Sequence, residues 1–349
     1  MSQTVEAPGN GPDTEDLRSA LERALSRHFG VPRLVTRLMR RPADNRSSFA
    51  LEELDLCLND GAALSLLFKN LGRHALLESA RYVKPAFLFN PLREIEAYRR
   101  FLATDRMGTA VCFGAEVDAP SGRYWLFLEK VPGVELYQVG DFATWQHVAR
   151  YLAARHSCFA ADRDLLARAR SAHFLTYDVD YFRMWLDRAR EFVPVETLSS
   201  QQNGRHFLER LASRYEQVIE RLVALPVTLI HGEFYASNVL VEENAQGQRV
   251  CPVDWEMAGV GPGLIDLAAL TAGNWTDEQR TALALAYHAG LPPDHGLSLP
   301  PDALLAALDY CHLHLAIQWL GWSSEWSPPP DHRRDWLSEV MRLTEKLGL

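Results

Sequence analysis

The fold of this chain is decided by residues 229–256, which read Leu-Ile-His-Gly-Glu-Phe-Tyr-Ala-Ser-Asn-Val-Leu-Val-Glu-Glu-Asn-Ala-Gln-Gly-Gln-Arg-Val-Cys-Pro-Val-Asp-Trp-Glu. Two short apolar runs, 239–241 and 250–253, flank a polar stretch whose composition is typical of a hairpin turn. Because a short hairpin brings its two ends together, the sequence predicts that Asn238 and Asp254 lie side by side.

The polar residues of this stretch have a common chemical use. An amide oxygen and a carboxylate are hard ligands, which Mg²⁺ accepts when phosphate oxygens complete its shell. Glu233 precedes Asn238 on the same loop, where it is placed to take a proton from a nucleophile. Metal ligands and a base on a backbone scaffold are the parts that phosphoryl transfer requires. The pattern therefore predicts Glu233 as catalytic base and Asn238 and Asp254 as metal ligands. A plain surface hairpin is the alternative.

The stretch resembles the catalytic core of the aminoglycoside phosphotransferase and choline kinase group, which are relatives of the protein kinases. That family carries His-Gly-Asp, an Asn five positions after the Asp, and then Asp-Trp-Glu or a close variant. This chain has His231-Gly-Glu233, Asn238 and Asp254-Trp-Glu256. It departs from the family at Glu233, whose side chain is one methylene longer than Asp.

The resemblance covers about residues 30 to 345 and implies a protein-kinase-like α+β fold with two lobes. A small N-terminal β-sheet lobe with a helix would bind the nucleotide, and a large, mainly helical C-terminal lobe would carry catalysis and the acceptor. We expect a disordered tail at residues 1–16, the N-terminal lobe at 17–131 and the C-terminal lobe at 132–349.

In the N-terminal part, an apolar strand at 63–68 ends with Lys69, where the family has its phosphate-binding lysine. An amphipathic helix is predicted from Pro91 to Leu102, and a carboxylate on it should pair with Lys69. The pattern Arg-Glu-x-Glu resembles the family helix with Glu94 as that partner. Glu96 remains the alternative, because it lies about 200° round the helix and only one of the two carboxylates can face the lysine.

Two further segments are expected to contact the nucleotide. The loop between the first two strands contains no glycine, so its backbone amides or the hydroxyls of Ser47 and Ser48 would cover the phosphates. An apolar strand that ends in a Pro-Gly turn after Glu129 and Val131 resembles the hinge between the lobes, whose backbone would bind the base. Backbone recognition leaves no side-chain signature, so the sequence leaves ATP and GTP both open.

Other residues are expected in supporting or acceptor-binding roles. His231 and Asp266 resemble the residues that orient and brace the catalytic loop, and Glu256 would reach the metal shell or a substrate cation. His156 is predicted to be a core histidine. Trp322, Glu325 and Trp326 lie in an irregular segment between the last two predicted helices, where they could stack on an acceptor.

Composition excludes several other classes of protein. A net charge of -9 opposes a nucleic-acid partner, and no apolar run approaches the ~20 residues of a membrane span. The five cysteines are scattered without a Cys-x-x-Cys pair, which favours buried thiols in a reducing cytoplasm over disulfides or zinc.

The function that these observations predict is Mg²⁺-dependent transfer of the γ-phosphoryl group of ATP or GTP to a hydroxylated small molecule. An aminoglycoside, a sugar, an amino alcohol or a natural-product intermediate would fit. One alternative is a kinase of Ser or Thr in a peptide, and another is a non-catalytic nucleotide binder. A zinc hydrolase built on His231, Glu233 and Asp254 is a third, opposed by the lack of a further histidine at ligand spacing.

Overall fold

The computed structural model describes residues 11–43, 48–103, 107–170, 173–193, 198–245, 247–292, 296–323 and 334–349. Three predicted site residues, Ser47, Glu325 and Trp326, lie outside these ranges. The chain forms two compact units that are not continuous in sequence. Unit 1 contains residues 1–82, 89–133 and 242–256, and unit 2 contains residues 83–88, 134–241 and 257–349. The hairpin that carries Asp254 therefore belongs mostly to unit 1, although it lies beyond residue 240.

Unit 1 is built on an antiparallel sheet of five strands in the order β1-β2-β3-β5-β4. Its elements are α1 (Thr14–Phe29), β1 (Val35–Pro42), β2 (Leu51–Leu58), β3 (Ala63–Asn70), α2 (Glu78–Val83, which ends at the boundary of the unit), α3 (Arg93–Glu96, continued by a π-helical turn, Ala97–Leu102), β4 (Cys112–Asp118) and β5 (Arg123–Glu129).

The alternation of apolar and polar residues along β2 and β3 gives the sheet two different faces. Leu54, Leu66 and Phe68 pack against the apolar stripe of α1 and form one core with it. Glu53 and Lys69 lie on the opposite face, which is the face that positions the candidate site. Helix α1 begins at Thr14, because the Asp13 carboxylate accepts from the amides of Glu15 and Asp16. Residues 14–16 are thus helical, and their placement in a disordered tail was wrong.

Unit 2 is mainly helical, and no described helix of the chain has the length and apolar character that a membrane span requires. Its elements are β6 (Val134–Glu135), α4 (Phe142–Ala161), α5 (Arg163–Arg170), β7 (Leu175–Thr176), α6 (Val179–Phe192), α7 (Leu198–Val223), β8 (Val227–Ile230), β9 (Val239–Asn244, whose last residues belong to unit 1), β10 (Gly247–Pro252, in unit 1), β11 (Gly259–Pro262), α8 (Leu264–Leu270), α9 (Asp277–Gly290), α10 (Pro301–Leu320) and α11 (Trp336–Lys346).

Strand β11 lies in a glycine-rich segment, residues 257–263, whose composition is typical of a flexible loop. Its four residues are buried, and it pairs with β8 on one side and β7 on the other. A Cβ atom on Gly259 or Gly261 would come within 2.6 Å of Leu175 or Tyr177. The glycines are therefore required for the close packing of Tyr177 and do not indicate flexibility.

Candidate active site

Lys69 is the centre of the polar cluster in unit 1. It is 3% exposed, and its Nζ atom lies 2.7 Å from Glu94 Oε2 and 2.8 Å from Asp254 Oδ1. Of the two carboxylates that the sequence left open, Glu94 is thus the one that pairs with the lysine. Glu96 instead pairs with Arg100 one turn further along the helix. Burial by itself would lower the pKa of Lys69, but the carboxylates of Asp254 and Glu94 together raise it above its usual value and keep the amine charged.

Asp254 has an unusual backbone conformation. Its φ angle is 67°, and it is the one non-glycine residue with positive φ in the described part of the chain. Asp and Asn tolerate this left-handed region better than other residues, but the conformation persists only where the surroundings hold it. The geometry orients the Asp254 carboxylate toward Lys69, at the end of the segment that follows β10.

The loop between β1 and β2 is joined to the same cluster. The Ser48 hydroxyl donates to Glu256 Oε1 at 3.0 Å, and the Arg93 Nη1 atom donates to the Glu256 carbonyl at 2.6 Å. Ser48 therefore lies where the predicted phosphate-covering loop returns to β2. Glu256 contacts this loop through its side chain and α3 through its backbone.

The predicted hinge residue Glu129 has a structural contact that the sequence did not suggest. Its carboxylate binds the Arg249 guanidinium through two contacts of 2.7 and 2.8 Å, and it also accepts from the amide of Val111. Arg249 further donates to the carbonyls of Gly108 and Thr109. Arg249 thereby ties the β9–β10 hairpin to the end of β5, just before Val131.

The loop that follows β8 in unit 2, residues 231–238, is built around Asp266. The amide of His231 donates to Asp266 Oδ2 at 2.7 Å, and the amide of Gly232 donates to Oδ1 at 2.8 Å. Asp266 is 1% exposed, so these charge-assisted bonds are formed away from water. The backbone just before Glu233 is therefore fixed by a buried carboxylate.

His156 completes this brace, and sequence analysis identified it only as a core histidine. Its Nε2 atom lies 3.1 Å from Asp266 Oδ2, and its Nδ1 atom lies 2.9 Å from the hydroxyl of Tyr287. The histidine is buried as predicted, yet it also orients the carboxylate that holds the loop. Its position on α4, far from the loop in sequence, carries no signal of this contact.

Gly232 allows the sharp turn into Glu233. Its φ angle is 85°, and an added Cβ atom would meet the Met257 carbonyl and the Tyr177 hydroxyl at 2.3 Å. Within the loop, the Glu233 carbonyl accepts from the Asn238 side chain at 3.0 Å. Because this bond uses the amide nitrogen, the Oδ1 atom of Asn238 is the atom that fits a cation.

Trp322, the described member of the predicted acceptor group, belongs to an aromatic cluster in unit 2. Its ring is parallel to Trp185 at 5.9 Å between centroids and lies 6.0 Å from Trp319. Trp319 also contacts Tyr235, two residues beyond Glu233, at 5.6 Å. The cluster thus connects α10 to the loop at 231–238, and the sequence analysis did not identify Tyr235 as part of this contact.

We expect Asp266→Ala to lower the free energy of unfolding by about 2–6 kcal/mol, since each of two buried amides left without an acceptor costs ~1–3 kcal/mol. Chemical denaturation followed by circular dichroism measures this loss. Asp302→Ala is the matched control, because Asp302 is exposed and such a change costs within about 0.5 kcal/mol. Equal stability of the two variants would contradict the brace.

A second expectation concerns pH. Burial raises the pKa of Glu94 from 4.5 to about 7, against the opposing effect of Lys69. The folded protein then holds a proton that the unfolded chain releases, so stability is lost as pH rises from about 4.5 to about 7. Glu94→Gln should remove this component. The free energy of unfolding is measured with denaturant at several pH values, with the exposed Glu78→Gln variant as control. Between pH 4.5 and about 7, the stability of Glu94→Gln should increase relative to that of wild type. Parallel curves would show that Glu94 does not titrate there.

The chain is similar to known proteins in both sequence and fold. Residues 85–297 match the model of the phosphotransferase enzyme family (APH). Ethanolamine kinase from Plasmodium vivax superposes with a TM-score of 0.58 and 13% identity over 90% of this chain and 83% of that one. A microcompartment-associated aminopropanol kinase gives 0.57 and 14%, over 88% of this chain and 89% of that one. The GDP complex of wild-type aminoglycoside 2'-phosphotransferase-IIIa gives 0.55 and 14%, over 89% and 92%. The comparison with curated proteins returned no match.

The fold is therefore the kinase-like fold of small-molecule phosphotransferases, and the predicted fold class is confirmed. Because the family model covers more than half of the sequence, the chain belongs to the phosphotransferase enzyme family. The sequence-based prediction of a phosphotransferase is confirmed with it.

Proposed function

We propose that this protein transfers the γ-phosphoryl group of a nucleoside triphosphate, ATP or GTP, to a hydroxyl group of a small molecule. The observation that carries the proposal is the buried Lys69, held between Glu94 and Asp254 in a chain of the phosphotransferase family. A buried, permanently charged amine beside a carboxylate that can bind a metal ion is suited to phosphate oxygens. Lys69 would bind the α- and β-phosphates, and Glu94 would orient it.

The donor set fits Mg²⁺. The Asp254 carboxylate and the Asn238 Oδ1 atom are the oxygen ligands that this ion prefers, and Glu256 is a further carboxylate close to Asp254 in sequence. Among the described residues, no three His, Cys, Asp or Glu side chains form a metal cluster. When bound, Mg²⁺ would neutralise charge on the phosphates.

The chain's own residues would perform the remaining steps. Glu233 would take the proton from the hydroxyl group of the acceptor molecule, while the oxygen of that hydroxyl forms the new bond to the γ-phosphorus. The bond between the γ-phosphorus and the β,γ-bridging oxygen breaks, and the nucleoside diphosphate leaves. Asp266 and His156 would hold the Glu233 loop in place, while Ser48 and the backbone near Val131 would contact the phosphates and base.

The acceptor is proposed to be a hydroxylated small molecule such as an amino alcohol, a sugar or an aminoglycoside. The structural neighbours are an ethanolamine kinase, an aminopropanol kinase and an aminoglycoside phosphotransferase. The cluster of Trp319, Trp322 and Tyr235 next to Glu233 would provide an aromatic wall for the acceptor. We place Glu325 and Trp326 in the same proposal on sequence grounds alone.

The test is transfer of labelled phosphate from ATP and from GTP, with Mg²⁺, to a panel of amino alcohols, sugars, nucleosides, aminoglycosides and Ser/Thr peptides. We expect a labelled small molecule with wild-type protein and none with Asp254→Asn protein, which controls for contaminating kinases. Labelling of peptides alone would favour the peptide kinase. Mg²⁺-dependent nucleotide binding without transfer to any compound would favour the non-catalytic binder, and the absence of such binding would overturn the proposal.

A further inference from the structure

Several contacts hold the turn from Asp254 to Glu256. Asp254 requires them, because its backbone is in the left-handed conformation. Such a conformation costs ~1–3 kcal/mol and persists only where neighbouring groups determine it. The Asp254 carboxylate binds Lys69. Trp255 is 1% exposed, and its indole N–H donates to the Pro252 carbonyl at 3.2 Å. The Glu256 carbonyl accepts from Arg93. Each of the three residues of the turn thus has its own restraint.

Arg93 is the restraint that neither the sequence nor the family assignment predicts. It is 3% exposed, which is rare for an arginine unless its charge has partners. Its Nη1 atom lies 2.6 Å from the Glu256 carbonyl oxygen. A buried guanidinium forms stronger hydrogen bonds than a neutral donor, and its planar shape fixes their direction.

Arg93 lies on α3 next to Glu94, the partner of Lys69. Arg93 and Glu94 are consecutive, so their side chains leave the helix about 100° apart and reach different partners. Glu94 binds the amine of Lys69, and Arg93 binds the backbone two residues after Asp254. One short helix therefore sets the position of both groups that meet at the Lys69–Asp254 contact.

We propose that Arg93 is a positioning residue for the metal-binding carboxylate of Asp254, acting through the carbonyl of Glu256. This inference rests on the proposed function, in which Asp254 binds Mg²⁺. Loss of Arg93 removes the charged donor to the Glu256 carbonyl, although the Ser48 hydroxyl still binds the Glu256 side chain. The turn then holds the Asp254 carboxylate less firmly in its orientation toward the ion. Partners that orient metal ligands in this way typically contribute 10- to 100-fold to metal affinity.

The test measures binding as well as activity. Isothermal titration of Mg²⁺ into protein saturated with ADP gives the metal affinity, and titration of ADP without Mg²⁺ gives the nucleotide affinity alone. We expect Arg93→Gln to weaken Mg²⁺ binding by ~10- to 100-fold and Mg²⁺-free ADP binding by less than about threefold. Arg93→Lys, which keeps a cationic donor, should lie between Arg93→Gln and wild type.

Arg100→Gln is the matched control, because Arg100 lies on the π-helical continuation of α3 and its side chain is 57% exposed. It should bind Mg²⁺ like wild type. An Mg²⁺ affinity of Arg93→Gln equal to that of the control overturns the inference, as does an equal loss of ADP binding with and without the ion. If Arg93→Gln does not fold, as judged by circular dichroism, Arg93→Lys decides by the same criteria. Wild-type protein that binds no Mg²⁺ at all would instead refute the proposed function.

Discussion

Replacing Asp254 with asparagine should abolish phosphoryl transfer while leaving the fold intact. The substitution removes the carboxylate that is proposed to bind the metal ion, and loss of one such electrostatic group at a transition state typically costs ~10²–10³-fold in rate. Asparagine tolerates the left-handed backbone as aspartate does, so the turn at φ 67° is preserved. Lys69 keeps its contact with Glu94, which retains the buried pair.

Turnover at saturating nucleotide and Mg²⁺ measures this effect, with circular dichroism and thermal melting to confirm the fold. Asp118→Asn is the control, since Asp118 is an exposed residue at the end of β4. The control should behave like wild type. Near-normal turnover of Asp254→Asn at high Mg²⁺ would show that the metal assignment is wrong.

The second large effect is expected at Glu233, the position that departs from the family motif. If its carboxylate takes the proton of the acceptor, Glu233→Gln should slow transfer by the ~10²–10⁴-fold that is typical of a lost general base. The fold should be unaffected, because the loop is held by Gly232, Asp266 and the Asn238 bond to the Glu233 carbonyl. None of these contacts uses the Glu233 side chain.

The Glu233→Asp variant distinguishes two explanations for the glutamate. Either the site is adapted to Glu233, or the glutamate is a defect of an enzyme that is losing activity. The shorter side chain keeps the carboxylate but draws it back, and a misplacement on that scale can cost ~10²-fold. We expect Asp to be slower than wild type and faster than Gln, because Lys69, Asn238 and Asp254 are all retained around a site adapted to Glu. Single-turnover rates with a true acceptor decide this, with exposed Glu220→Gln as the control. A Gln variant as fast as wild type would remove Glu233 from the mechanism.

The two expectations differ in what they test. Asp254 and Lys69 lie in one compact unit, and Glu233, His231 and Asp266 lie in the other. Failure at Asp254 would affect the proposed metal and nucleotide chemistry, whereas failure at Glu233 would affect only the proposed base. The two variants therefore test separate parts of the proposed function.

The sequence by itself determined the family and the kind of fold. Spacing was sufficient there, because His231, Glu233, Asn238 and Asp254 follow one another in the sequence at the intervals of the family motif. Local rules also placed the strand that carries Lys69, which was predicted at 63–68 and is found at Ala63–Asn70. Helix α4 is capped by Asp141, a residue type that is preferred at this position.

Only the tertiary structure decided which distant residues support the site. Whether Glu94 or Glu96 faces Lys69 depends on how α3 is rotated against the sheet. The sequence shows two carboxylates on the helix but not this rotation. The contacts of Arg93 with Glu256, Arg249 with Glu129 and His156 with Asp266 join residues 163, 120 and 110 positions apart.

These long-range contacts form because a buried charge or amide must find a partner when water is excluded. Which partner it finds is determined by the packing of whole elements, so no local pattern encodes it. The glycine-rich segment that forms β11 is a further case that local sequence does not predict, because its composition is typical of a loop. The buried ring of Tyr177 beside them makes the segment a strand.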